Sequence, residues 1–118
     1  MPRKNIDKPR NAGTMTESAF WSWIRSLLRK KTFAWKPIKL AKDNAKRPNQ
    51  SSNKRLKWEY QCNKCLDWFP DKEIEVDHII KCGNFSKETA GEWIEKLFCE
   101  VDGLQILCKA CHQIKTHV

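Results

Sequence analysis

Two Cys-x-x-Cys pairs, Cys62/Cys65 and Cys108/Cys111, stand 42 residues apart in a chain of 118. Each pair sets two thiols on one tight turn, and two pairs together supply the four sulfurs of a tetrahedral zinc site. Such a site is closed to water, so the pattern predicts a structural Zn2+ and not a catalytic one. It also constrains the fold, because the segment around residue 62 has to meet the segment around residue 111. Six Trp and five Phe give bulk to a core that, at this length, gains from a staple. Cys82 and Cys99 are left over. Buried free thiols are the expectation for them, with a disulfide as the alternative that a reducing compartment disfavours. No apolar run is long enough to span a bilayer, and Met1-Pro2-Arg3-Lys4 lacks the apolar stretch of a secretory signal. The expectation is a cytoplasmic protein with no membrane association.

Charge divides the chain. The formal net charge is +9, yet residues 1–61 hold 16 basic against 4 acidic side chains, while residues 62–118 hold 7 against 10. A polyanion would meet the first half. Lysines and arginines bind phosphates through counterion release without reading sequence. Arg25, Arg29, Lys30, Lys31, Lys36, Arg47, Lys54 and Arg55 are the DNA-contact candidates there, and Lys115 is a further one in the second half. The carboxylates of that second half suit the holding of a cation.

The pattern divides into a basic N-terminal arm with helices (1–57) and a denser domain (58–118). Residues 1–13 are polar, with Pro2, Pro9 and Gly13, and are expected to be disordered. Thr14-Met15-Thr16-Glu17 fits a capping box, ahead of an apolar stripe of Phe20, Trp21, Trp23, Ile24, Leu27 and Leu28 that reads as a surface helix docked on the core. A short helix is expected over Ile38–Lys46, followed by a linker at 48–53. Trp58–Gln61 reads as a strand, and Glu73–Ile80 alternates with β-branched residues as a second strand. Ser86–Phe98 is in helical order with Ser86 as a candidate cap. Gly103 marks a turn, Leu104–Leu107 a strand, and Lys109–Thr116 a final helix.

Asp77-His78, followed by Leu104-Gln105-Ile106-Leu107-Cys108-Lys109-Ala110-Cys111-His112 and Lys115-Thr116, resembles the HNH endonuclease family. The similarity is greatest to the small HNH proteins of tailed bacteriophages and prophages. The resemblance implies an α+β fold: a small ββα-metal (HNH, or His-Me finger) domain with a four-cysteine zinc knuckle pair and a helical, basic N-terminal extension. It implies that His78 is the general base that activates a water, a task suited to the side chain that titrates near neutrality. Asp77 and His112 would be ligands of one divalent cation (Mg2+, Mn2+, Ni2+ or Zn2+) that stabilises the leaving 3′ oxygen. The implied activity is hydrolysis of phosphodiester bonds in double-stranded DNA with weak sequence preference, leaving 5′-phosphate and 3′-hydroxyl ends. The phage resemblance also implies a role in DNA packaging beside the terminase large subunit.

Adjacent strand residues face opposite ways, so Asp77 and His78 are expected to serve different atoms, as in-line displacement requires. His112 follows Cys111 directly, so the structural zinc would orient it. His112 as a zinc ligand in place of a cysteine is the alternative reading of that residue. One position departs from the family: Gly103 stands where the middle Asn braces the loop, although some phage members also have Gly there. The alternative to a nuclease is a non-catalytic zinc-containing DNA-binding module.

Overall fold

The computed structural model describes residues 7–116. Residues 1–6, 117 and 118 lie outside that range, and with them part of the N-terminal segment expected to be disordered. From residue 7 onward the segment is shaped. Asn11, Ala12 and Gly13 adopt positive φ in a turn that pairs Arg10 with Met15. Helix α1 spans Glu17–Lys31, and its cap is Thr16, whose hydroxyl accepts from the Ala19 N–H. The cap therefore sits two residues later than the capping box predicts. Glu17 is drawn elsewhere, accepting two bonds from Arg10 and one from the Trp21 indole. These partners hold its carboxyl down at about 2.

The apolar stripe of α1 is not buried as expected. No residue of α1 is buried, and Trp23 remains 52% exposed. Beyond the Arg10–Glu17 pair, the helix meets the rest of the chain through aromatic side chains and Arg29. Trp21 meets Phe85, and the Arg29 guanidinium lies over Trp93. Trp35 begins a second helix, α2 (Lys36–Ala45), which starts at a Pro37 already suited to a first turn. The proline thus opens the helix.

Strands β1 (Lys46–Pro48), β2 (Trp58–Gln61) and β3 (Trp68–Phe69) form an antiparallel sheet in that order. The sequence pattern ends a helix and begins a linker where β1 lies, so this strand is unexpected. Pro48 lacks an N–H, but it stands at the end of an edge strand, where that costs little. Arg47 joins the sheet from its side chain: its Nε donates to the buried Glu59 carboxylate at 2.6 Å, and its guanidinium stacks 3.8 Å from the Trp68 ring.

A second pair, β4 (Ile74–His78) and β5 (Leu104–Cys108), is antiparallel in the register Ile74↔Cys108, Asp77↔Gln105 and His78↔Leu104. Between them runs helix α3 (Ala90–Leu97), and β5 passes directly into helix α4 (Lys109–Thr116). α3 starts later than Ser86, because residues 86–89 form a turn in which the Ser86 and Thr89 hydroxyls bond each other. Ile74, Leu104, Ile106 and Ala41 form the main core, and Cys62, Leu107 and Cys108 form a smaller one against Phe69. Trp93 and Leu97 anchor α3, both with 2% exposure or less. The chain is a mixed helix-and-strand protein whose cores hold few side chains, so a metal held by four cysteines would add stability that packing alone does not supply.

Candidate functional site

The four cysteines named from the sequence converge. One Sγ from each of Cys62, Cys65, Cys108 and Cys111 lies within 4.8 Å of all the others, and Cys65 and Cys108 are 4.0 Å apart. A tetrahedral zinc with bonds of about 2.3 Å places its sulfurs about 3.8 Å apart. A small contraction would bring this cluster to that geometry, so the donor set fits the ion. It is the only such group of His, Cys, Asp or Glu among the described residues. Local electrostatics already favour a thiolate. Burial opposes ionisation of Cys62, yet backbone N–H groups of Cys108, Cys65 and Lys64 outweigh it and bring the thiol to about 6. A hydrogen bond with the Cys108 side chain, helped by burial, pushes Cys111 up to about 12. Half-buried Cys82 and Cys99 are free thiols, and burial pushes both upward, away from the reactive form.

The two Cys-x-x-Cys turns lie beside a cleft of about 600 Å³ lined by Asp77, His78 and His112, together with Arg29, Glu75, Lys81 and Lys115. Strand alternation sends Glu75 and Asp77 toward α4, while His78 turns toward α3. His112, one residue beyond Cys111 and on the first turn of α4, sits between the two carboxylates. Its Nδ1 is 2.6 Å from a Glu75 oxygen, and its Nε2 is 3.5 Å from Asp77 Oδ1. Glu75 thus fixes which ring nitrogen faces Asp77. Glu75 is not among the site residues expected from the sequence, although its two-residue spacing from Asp77 on a strand was the available signal.

His78 is held differently. Its Nε2 lies 2.8 Å from the Leu97 carbonyl at the end of α3. A carbonyl only accepts, so Nε2 carries the proton and the lone pair is left on Nδ1. This is the tautomer a base acting through Nδ1 requires. Asp77 is buried and its Oδ2 accepts from Gln105 Nε2 at 2.9 Å and from the Lys115 ammonium. Lys115 also donates to the carbonyls of His78 and Ile79, at 2.8 and 3.3 Å. All three of its hydrogens have acceptors within the protein, which leaves it poorly placed to contact phosphate.

The turn at Gly103 has its own brace. The Ile79 N–H donates to the Gly103 carbonyl at 2.9 Å, and the Gly103 N–H donates to the Glu100 carbonyl at 3.0 Å. A Cβ at residue 103 would come within 2.9 Å of Cys99 Sγ. Backbone hydrogen bonds close this turn, and close packing on Cys99 leaves no room for an Asn side chain. From the cap of α2, the Trp35 indole donates to the Cys99 carbonyl at 2.7 Å and fixes the same turn from the other side.

The remaining basic candidates are spread unevenly. Arg25, Arg29, Lys30 and Lys31 lie along α1, with Arg29 at the cleft rim. Lys36 is exposed at the start of α2, and Lys54 and Arg55 are exposed in the β1–β2 connection, outside the cleft lining. Arg47 is engaged by Glu59 and Trp68. Comparison of the chain with protein-family models, curated proteins and solved structures finds no match. No helix among the described residues is long and apolar enough to cross a membrane.

Proposed function

We propose that this protein is an HNH endonuclease in which β4, β5 and α4 form the ββα-metal motif and hydrolyse phosphodiester bonds of double-stranded DNA. The observation that carries this reading is the tautomer of His78: the Leu97 carbonyl takes Nε2 and leaves the basic nitrogen in a ring that lines the same cleft as Asp77 and His112. The same hydrogen bond satisfies a half-buried imidazole N–H, and it is the shared cleft with Asp77 and His112 that gives the free Nδ1 a use.

Asp77 Oδ1 and His112 Nε2, 3.5 Å apart, offer a carboxylate and an imidazole to one divalent cation. Adjacent ligands on an octahedral ion with bonds of about 2.1 Å lie about 3.0 Å apart, so this donor pair fits with a small closure. Such a cation, once bound, supplies Lewis-acid stabilisation of charge on the leaving 3′ oxygen. His78 Nδ1 removes a proton from the attacking water, and Glu75 keeps His112 turned toward Asp77. Arg29 and Lys81 at the rim neutralise the phosphates that flank the scissile bond. The basic face of α1 extends that contact along the duplex. The products are a 5′-phosphate and a 3′-hydroxyl. By its phage resemblance the protein acts in DNA packaging with the terminase large subunit, which co-purification tests directly.

Cleavage of supercoiled plasmid by wild type and His78→Ala, with Mg2+, Mn2+, Ni2+ and Zn2+ in turn, tests the reading. Wild type nicks or linearises the plasmid with at least one of these ions, and His78→Ala loses cutting while retaining DNA binding. Intact plasmid with every ion, alongside ordinary DNA binding, would instead identify a non-catalytic zinc module.

A further inference from the structure

We propose that Asn63, Gln105 and Lys115 form a positioning relay that fixes Asp77 from the zinc knuckle, with the direction of one side-chain amide deciding whether Asp77 can hold its cation. The proposal rests on the reading of Asp77 as a ligand in the cleft.

Asn63 lies inside the first Cys-x-x-Cys turn, between Cys62 and Cys65. It is bound to β5 twice: its backbone N–H donates to the Ile106 carbonyl at 2.7 Å, and its side-chain amide meets Gln105 Oε1 at 2.8 Å. Gln105 stands directly across the strand pair from Asp77 and donates through Nε2 to Oδ2 at 2.9 Å. The polarity of this chain is forced. A carboxylate only accepts, so Gln105 has to present its NH2 group to Asp77. Its oxygen then faces Asn63, which has to donate. Lys115 adds a second donor on the same Oδ2 and ties it to the carbonyls of His78 and Ile79. One oxygen of Asp77 is thereby saturated, and Oδ1 alone remains for the cation, on the side of His112 Nε2. The knuckle's shape reaches the cleft through two hydrogen bonds, independently of the route through Cys111 and His112.

Replacing Asn63 separates direction from packing. In Asn63→Asp the new carboxylate accepts only, so it competes with Asp77 for the Gln105 NH2 group and populates the turned amide that presents its oxygen to Asp77. In Asn63→Leu the amide is left without that partner and keeps its direction. Gln105→Glu places an oxygen against Asp77 by a second route. Partners of this kind typically change metal affinity by roughly 10–100-fold. Mn2+ binding to the zinc-loaded protein, followed by electron paramagnetic resonance, together with kcat and KM for plasmid nicking, reads the effect. The expected order of Mn2+ dissociation constants is wild type below Asn63→Leu below Asn63→Asp. The last is raised at least tenfold, with zinc content retained and kcat lowered more than KM is raised. Simple attraction predicts the opposite sign, because Asp adds negative charge near a cation; Lys64→Glu on the same turn serves as the charge control. Mn2+ binding by Asn63→Asp and Gln105→Glu as tight as wild type overturns the relay while leaving the nuclease reading intact. Absence of Mn2+ binding and nicking in wild type overturns both.

Discussion

Alanine at residue 103 tests whether packing, rather than chemistry, fixes the glycine in the motif's middle. Gly103 does not occupy the left-handed region, so a side chain there meets no backbone penalty and the cost comes from steric overlap alone. The added Cβ would lie 2.9 Å from Cys99 Sγ and 3.2 Å from Cys99 Cβ. Ordinary carbon contacts lie at about 3.5–4.0 Å, so Cys99 must retreat by more than half an ångström. It is poorly able to do so, because the Trp35 indole holds its carbonyl and the Ile79 N–H holds the carbonyl of residue 103. Overpacking of this kind costs about 1–3 kcal/mol. For a domain near this size that corresponds to a Tm lowered by roughly 4–15 °C. Differential scanning calorimetry of zinc-loaded Gly103→Ala, Cys99→Ala and the double variant forms the cycle. The double variant should recover at least half of the Gly103→Ala loss, because removing Sγ removes the shorter approach and leaves only the one at 3.2 Å. If Gly103→Ala melts with wild type, or if Cys99→Ala brings no recovery, the packing argument for glycine is wrong.

Chelation of zinc, or Cys111→Ser, should abolish the cooperative thermal transition, since structural zinc supplies roughly 10–16 kcal/mol in small domains at neutral pH; metal analysis should find one zinc per chain before treatment and a restored transition on re-addition. Replacing Lys30 and Lys31 together by Ala should lower the slope of log K against log salt for duplex DNA by roughly 0.9 for each phosphate no longer neutralised. Arg29→Ala should weaken DNA binding and also lower kcat, because that side chain reaches the cleft rim. At the start of α1, the depressed carboxyl of Glu17 contributes stability that is full above about 4.5 and falls away as pH drops through about 2. An acid titration followed at the Trp21 indole N–H by NMR should show its release in that window, and Glu17→Gln should remove the step.

Much of the second half is legible in the sequence because its signals are local and redundant. The cysteine spacing forces the knuckles together, and the residues of α4 match the expected helix from Lys109 to Thr116. In the first half, the stripe of α1 has the period of a buried face but nothing large enough to cover it, so Trp23 and Leu27 stay exposed. Periodicity reports a helix and does not report what lies opposite. The cap moves from Thr14 to Thr16 because Arg10 competes for Glu17, a pairing across seven residues that a capping box does not encode. β1 escapes a sequence reading because a strand of three residues ending in proline carries almost no signal until a partner strand appears.

The site divides along the same line. Asp77, His78 and His112 are readable from side-chain identity at known spacing. The Leu97 and Gly103 carbonyls that hold the site are not, since a backbone group has no signature in the residue type that bears it. Gln105 and Asn63 lie within motifs marked for other reasons, and only the strand register turns them toward Asp77. Lys115 shows the reverse. Its charge suggests an outward role, while three oxygen atoms near the end of β4 claim it instead.

β5 runs into α4 with no residue between them, and that junction bears on misfolding as well as on the shape of the cleft. There is no slack in which an error could be absorbed. A slip of one residue between β4 and β5 would turn Gln105 away from Asp77, carry Cys108 and Cys111 off their partners, and swing His112 away from Glu75 in a single movement. A mispaired chain would therefore lack knuckle and cleft together.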